Sequence, residues 1–270
     1  MAKTDKSIST IEQRKLLCEN LSFAASEAYK LLRANLSFTI ANCQDTPVVA
    51  ITSSIRGEAK TTTAINLSYT MAETGKKVLL IDADMRLPNV ARALAINKNP
   101  GLSEAVVGDC EISQAVRHSN IIEGWDIMPA GTIPPNPSEL LNSESMENLL
   151  KKIKKMYDFI VIDLPPIGIV SDALVISGIV DGFIVIARQD YTSKKIFSQT
   201  IAAFEPIKDK VLGIVLTDSS KNRKSYYKKN KYRYYSKRYE SSRSYGYGYG
   251  YGYGYGYGKN TSKSRKKKGE

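Results

Sequence analysis

A lysine and three aspartates stand where a nucleoside triphosphate could be held. Lys60 lies in residues 53–62, Ser-Ser-Ile-Arg-Gly-Glu-Ala-Lys-Thr-Thr, which follow an apolar run and lead into a helical pattern. Asp82, Asp84 and Asp163 each lie at or just beyond the end of another apolar run. A strand, loop and helix in that order aim backbone N–H groups and a helix N-terminus at an anion. In this pattern Lys60 is predicted to reach the β- and γ-phosphates and Thr61 to offer its hydroxyl to Mg²⁺. Ser54, Gly57, Glu58, Ala59 and Thr62 would complete the cradle. Ser54 and Ala59 occupy the two glycine positions of the general pattern, so the loop by itself fits an ordinary polar turn equally well.

The aspartates decide between these readings. Residues 81–86, Ile-Asp-Ala-Asp-Met-Arg, put Asp82 and Asp84 on one side of a strand end, and residues 159–166 run through four apolar positions into Asp163 and then Leu-Pro-Pro. A buried strand ending in Asp is how P-loop enzymes hold Mg²⁺, directly or through water. Any one of these acids could merely cap a turn. Three motifs after three predicted strands point to phosphoryl transfer.

The elements that must position these groups alternate short apolar runs with longer helical patterns. The fold class is therefore α/β: a doubly wound, mainly parallel sheet of the P-loop NTPase type. Strands are predicted at 48–52, 78–82, 125–128, 159–163, 183–187 and 211–216. Helices are predicted at 60–74, stopped by Gly75, and at 138–156, with Ser138 as N-cap. The site is expected at the carboxyl ends of the strands.

Composition limits what else the chain can be. With 270 residues, 42% of them hydrophobic, it can bury one substantial core. No apolar run approaches the roughly 20 residues of a membrane helix, and residues 1–15 do not resemble a signal peptide, so a cytoplasmic location is expected. Cys18, Cys43 and Cys110 show neither disulfide-framework nor zinc spacing and are read as thiols. The single histidine, His118, sits in a polar stretch without a catalytic partner in sight.

The formal charge of +12 is concentrated at one end. Residues 221–270 hold 16 of the 39 basic and 2 of the 27 acidic residues, so they carry +14 and the remainder −2. They also hold 13 of the 17 tyrosines, among them the Tyr-Gly alternation of Tyr245, Tyr247, Tyr249, Tyr251, Tyr253, Tyr255 and Tyr257. With almost no aliphatic residues this segment cannot offset its ordering entropy, and it is predicted to be a disordered tail. Three parts follow: an N-terminal segment 1–44, a nucleotide-binding domain 45–220 and the tail 221–270.

Taken together, these features resemble the bacterial tyrosine kinases of capsular and exopolysaccharide synthesis, the CpsD/CapB type. The resemblance rests on the loop at 53–61, the paired acids at 81–86, the Asp-ended strand at 160–166 and the terminal tyrosine cluster. It extends to residues 27–33, Glu-Ala-Tyr-Lys-Leu-Leu-Arg, similar to the family's self-association helix with Glu27, Lys30 and Arg33 at three-residue steps. It implies ATP and Mg²⁺ as cofactors, with Lys60 and Thr61 on phosphate and metal, Asp82 and Asp84 managing metal and the tyrosine hydroxyl, and Asp163 a metal ligand. Asp82 is favoured as the group nearest the attacking hydroxyl, because phosphoryl transfer depends mainly on positioning and charge neutralisation. The resemblance further implies autophosphorylation of the tail in trans, a ring-like homo-oligomer, a membrane adaptor that recruits and activates the kinase at the inner face of the membrane, and a cognate phosphotyrosine phosphatase.

This sequence departs from the family at three places. Lys30 replaces an arginine and cannot form its bidentate fork. Ala59 replaces a glycine, bringing a methyl group near the phosphates and strain at any positive φ. Thr217 and Asp218 follow the last strand where related proteins carry an Asn near the base, leaving the adenine contact unassigned.

A positioning ATPase of the MinD/ParA kind has a second lysine five residues before the loop lysine; Ile55 stands there. The basic, tyrosine-rich tail suits nucleic acid or anionic membrane as a secondary partner. Tyr29 and Leu32 read as helix packing, Arg86 as a solvated or salt-bridged arginine, Pro165 and Pro166 as a strand terminator, and Asp172 as a helix N-cap. A tail of about 50 residues spans roughly 35 to 42 Å, comparable to the roughly 45 Å width of a 220-residue domain, so it can reach a neighbouring subunit.

Overall fold

The computed structural model describes residues 17–41, 43 and 45–218. The tail 221–270, with the seven tyrosines of its Tyr-Gly alternation, lies outside the described residues, as do residues 1–16.

The strands are β1 (Val48–Ser53), β2 (Val78–Asp82), β3 (Arg117–His118), β4 (Trp125–Met128), β5 (Phe159–Asp163), β6 (Gly182–Arg188) and β7 (Val211–Thr217). Among the described residues they form one sheet in the order β3-β4-β2-β5-β1-β6-β7, parallel throughout except for β3 against β4. The six predicted strands match, with boundaries shifted by no more than one residue. The seventh, β3, has two residues, too few to leave an alternating pattern.

Helices cover both faces, which explains why the central strands read as unbroken apolar runs. Val48, Ala50, Leu79, Ile81, Ile160 and Ile162 point into one core layer, while Val49, Ile51, Val78, Leu80, Phe159 and Val161 point into the other. Neighbours along a strand thus serve opposite layers, as the two-residue period requires.

The main helices are α1 (Phe23–Thr39), α2 (Lys60–Ala72), α3 (Val90–Leu94), α4 (Leu102–Val107), α5 (Ile112–Ala115), α6 (Pro137–Leu141), α7 (Glu144–Lys154), α8 (Asp172–Val175) and α9 (Lys194–Ala203). Helix α2 ends two residues short of the predicted 74, and Gly75 follows at φ 82°. The predicted helix 138–156 is two helices, broken at Asn142 and Ser143. Ser143, not Ser138, is the working cap: its Oγ accepts the Met146 N–H at 3.1 Å. From there Met146, Leu149, Leu150 and Ile153 form one buried stripe, and Lys151, Lys152 and Lys154 lie in the last turn, favourably placed against the helix dipole.

Helix α1 lies on α2. Leu36 is buried there and Leu32 packs alongside. Arg33 Nη1 donates to the Thr70 carbonyl at 2.5 Å and stands 3.8 Å from Glu73, while Lys30 pairs with Glu27 within α1 at 2.9 Å. His118 is an exposed edge residue 2.8 Å from Asp126, which also accepts the Tyr157 hydroxyl. No described helix is long and apolar enough to cross a membrane.

Candidate active site

Strand β1 is an interior strand of the sheet with β5 on one side and β6 on the other, so its carboxyl end opens into the crevice where doubly wound sheets bind ligands. The loop 54–59 leaves from that end. Gly57 (φ 84°) and Ala59 (φ 65°, ψ 28°) both take left-handed backbone, the second at the strain cost foreseen for a residue with a Cβ. The turn is held from inside by Glu58, 1% exposed, whose carboxylate accepts the Ile55 N–H at 2.8 Å and the Thr192 hydroxyl. The Glu58 side chain therefore shapes the loop and does not face an anion.

Helix α2 begins at Lys60 with no side-chain cap, because Ala59 has nothing to offer its first N–H groups. Lys60 Nζ turns toward three acids. It lies 2.7 Å from Asp163 Oδ1 and 3.5 Å from Asp84 Oδ2, and Thr61 Oγ1 donates to Asp163 Oδ2 at 2.7 Å. Asp82 and Asp163 are register partners on β2 and β5, which sets the two carboxylates side by side. Lys60, Thr61, Asp82, Asp84 and Asp163 therefore meet at one place, drawn from three strand ends.

The acids differ in their surroundings. Asp82 is fully buried and accepts N–H groups of Asp84 (3.2 Å), Asn89 and Val90 (3.0 Å each). Burial first, and the charge of Asp163 next, push its carboxyl above the usual range. Asp84 accepts the Leu87 N–H at 3.1 Å with one oxygen and leaves the other toward Lys60. Burial alone would lower the Lys60 ammonium pKa, but Asp163, Asp84 and Asp82 more than compensate and it is raised, so the lysine stays charged.

Three observations suit this cradle to a triphosphate. The first turn of α2 is uncapped, Lys60 supplies a buried cation, and Ser54 Oγ is buried without a hydrogen-bond partner in the loop. No group of three or more His, Cys, Asp or Glu among the described residues could hold a metal by itself. Mg²⁺ takes one or two carboxylates and completes its shell with phosphate and water. Thr61 and Asp163, whose oxygens lie 2.7 Å apart, are residues that could hold such an ion.

Several contributors carry no local sequence signal. Arg188, at the end of β6, donates to the Gly57 carbonyl at 3.0 Å and to Asp218 at 2.8 Å. Tyr191 Oη donates to the Arg56 carbonyl at 3.1 Å, and Thr217 Oγ1 to the Glu58 carbonyl at 3.0 Å. The β6–α9 connection and the end of β7 thus buttress the loop from outside. Gly168 passes so close that a Cβ there would fall 2.2 Å from the Ser54 carbonyl oxygen. Asp172 is not the predicted N-cap: Ser171 holds that position, and the fully buried Asp172 carboxylate receives Arg86 Nε at 3.1 Å, Arg86 Nη2 at 3.2 Å and the Ser138 hydroxyl at 2.6 Å. Arg86 is salt-bridged, tying the turn after β2 to α8.

Comparison with known proteins agrees with this geometry. A family model described as an AAA domain matches residues 46–214. Tyrosine-protein kinase YwqD of Bacillus subtilis is 37% identical over 210 residues, covering 78% of this chain and 86% of that protein. Tyrosine-protein kinase CpsD of Streptococcus agalactiae is 32% identical over 201 residues, covering 74% and 85%. Among solved structures, the kinase domain of Escherichia coli tyrosine kinase ETK superposes with a TM-score of 0.68 at 31% identity, covering 73% of this chain and 77% of that one. Relatives of this identity, matched over more than four-fifths of their own length, show that the chain belongs to the bacterial tyrosine-protein kinases.

Proposed function

We propose that the chain is an autokinase that uses ATP and Mg²⁺ to phosphorylate its own C-terminal tyrosines in trans, and that it thereby regulates capsular or exopolysaccharide synthesis. The observation that carries this reading is the meeting of Lys60 with Asp163 and Asp84 beside an uncapped helix N-terminus. Lys60, Thr61, Thr62 and the N–H groups of residues 54–59 would bind and orient the phosphates. Bound Mg²⁺ would neutralise charge on the transferred group and its leaving oxygen. Thr61 and Asp163 would fix the metal's place. Asp82, with its raised basicity, and Asp84, nearer the opening, are the two carboxylates that would receive or steer the phenolic proton.

The substrate segment follows from charge and composition. A +14 tail carrying 13 tyrosines meets a remainder of −2, so encounter is favourable before phosphorylation. Each phosphate adds about −1.5 to −2, and some seven to nine cancel the tail's charge. This reversal would loosen an assembly in which Glu27, Lys30 and Arg33 of α1 contact neighbouring copies. A cytoplasmic protein recruited to the membrane by an adaptor and reset by a phosphotyrosine phosphatase is the cellular setting that this activity suits.

Mixing two chains tests transfer between copies. A chain ending at residue 220 serves as donor and full-length Lys60→Met as acceptor, with Mg-ATP present. Phosphotyrosine on the Lys60→Met tail is the expected result. An unlabelled acceptor, under conditions where wild type labels itself, would overturn transfer in trans.

A further inference from the structure

Tyr191 is set apart from the other tyrosines of the described residues. Tyr157 is 8% exposed with its hydroxyl given to Asp126, Tyr69 stands edge-on to Trp125 at 5.6 Å, and Tyr29 is half-buried on α1. Tyr191 is 51% exposed, on the connection between β6 and α9. Its contacts nonetheless fall on the phosphate-binding loop. Its hydroxyl donates to the Arg56 carbonyl at 3.1 Å, and a Cβ placed on Gly57 would lie 3.0 Å from that same oxygen. The Arg188 guanidinium sits 5.1 Å from the ring centroid while donating to the Gly57 carbonyl at 3.0 Å. Ring and guanidinium together form a strap across the outer side of residues 56 and 57.

We propose that Tyr191 is itself a phosphoacceptor of this kinase, and that its phosphate unties the strap and weakens nucleotide binding. The inference rests on the autokinase reading above and adds to it a site outside the tail. In the transfer, the bond between the γ-phosphorus of ATP and its bridging oxygen breaks and a bond from that phosphorus to Tyr191 Oη forms. The phenolic proton leaves to a carboxylate or water, and ADP departs. The donor is the site of a second copy, as for the tail.

The consequence follows from donor and acceptor counting. A phosphotyrosine has no hydroxyl hydrogen, so the bond to the Arg56 carbonyl cannot re-form, and phosphate oxygens repel that carbonyl. The group brings about −1.5 to −2 of charge next to Arg188, whose fork binds phosphate better than it binds a neutral carbonyl. Arg188 is drawn from Gly57, and both ties to the outer side of the loop are lost. Glu58 keeps its contacts with Ile55, Thr192 and Thr217, so the loop loosens without unfolding. A loosened loop must be ordered again when nucleotide binds, and the new dianion lies close to where phosphates bind. Both effects lower affinity.

The test uses full-length wild type and Tyr191→Phe, each before and after incubation with Mg-ATP and removal of nucleotide. Trypsin cuts after Arg188 and Lys194, so the peptide 189–194 carries Tyr191 as its one tyrosine, and its fragment ions separate phosphate on Tyr191 from phosphate on Thr192 or Ser193. Phosphate is expected on that peptide in wild type and not in Lys60→Met. ADP affinity is expected to fall about tenfold on phosphorylation of wild type; Tyr191→Phe, which lacks the Arg56 bond from the start and so begins weaker, is incubated until its tail carries the same phosphate and is expected to show no further fall. Phosphate confined to the tail, or an equal fall in both proteins, overturns the proposal and leaves the autokinase reading standing. Incorporation nowhere in wild type overturns both.

Discussion

Lys60 Nζ stands 2.7 Å from Asp163 Oδ1, joining the first turn of α2 to the end of β5 across 103 residues of sequence. The contact gathers a cation and a carboxylate in a nearly buried cleft: burial raises the Asp163 carboxyl above its usual range and Lys60 works against that rise, while Asp163 helps to raise the Lys60 ammonium. Asp163 also accepts the Thr61 hydroxyl, so it orients both residues expected to meet phosphate and metal. Asp163→Asn keeps the shape but removes the charge. We expect a loss of about 10²- to 10³-fold in turnover, the scale typical of a preorganised electrostatic contact, with the fold retained. Initial rates beside a thermal melt check this; a change within threefold would separate Asp163 from the chemistry.

Ala59 adopts φ 65°, a region that costs an alanine roughly 1 to 2 kcal/mol. Ala59→Gly relieves that strain at some cost in unfolded-chain entropy, for a net gain of about 0.5 to 1 kcal/mol in the loop. The expected outcome is nucleotide binding tightened about two- to fivefold, or faster autophosphorylation. Calorimetric titration with ADP and initial rates measure it, and identical values for the two proteins would count against the argument.

The Arg86–Asp172 pair should matter more for stability than an ordinary surface bridge, because the Asp172 carboxylate has no exposure and receives two guanidinium N–H groups and a hydroxyl. Hydrogen bonds to a charged group contribute about 1.5 to 3 kcal/mol, and Asp172→Asn is expected to lose an amount at the middle of that range. Denaturant unfolding reads this directly. Because Arg86 anchors the turn carrying Asp84, turnover should fall as well, and Arg86→Lys should recover only part of it.

Glu104 supplies a pH-dependent prediction away from the active site. Its carboxylate accepts the N–H groups of Gly101 (2.8 Å) and Thr132 (3.0 Å). Partial burial works against its charge, but a hydrogen bond from the Thr132 side chain, followed by those N–H groups, prevails and lowers its pKa from 4.5 to about 2. A depressed carboxyl stabilises the fold above its unfolded pKa and loses that contribution as pH falls through the folded value. Discounted for solvent screening, the contribution at neutral pH is about 1 to 2 kcal/mol. Glu104→Gln should therefore be less stable than wild type at pH 7, with the gap closing as pH falls from 4.5 toward 2. A gap that does not change with pH would refute the assignment.

Much of this architecture was legible in the sequence because buried parallel strands write continuous apolar runs, and six of them ended within one residue of where the structure ends them. The acids were legible for the same reason, each marking the carboxyl end of such a run. Long-range supports were not. Arg188 acts on Gly57 from 131 residues away, and nothing near it in sequence announces that contact. Ser138 looked like a helix cap by residue type, yet its hydroxyl is given to Asp172 and receives Arg86, a tertiary demand that overrides local preference. Asn142 and Ser143 break a pattern that remains periodic on both sides, so two helices read as one.

The central claim is that the loop around Lys60 hands phosphate to tyrosines of residues 221–270. Mass mapping of phosphotyrosine after incubating the purified chain with Mg-ATP, with and without Lys60→Met, tests it most directly. We expect multiple phosphates within residues 226–257 of wild type and none in the variant. Equal tail phosphorylation in both proteins, or an unmodified tail in a chain that hydrolyses ATP, would contradict it.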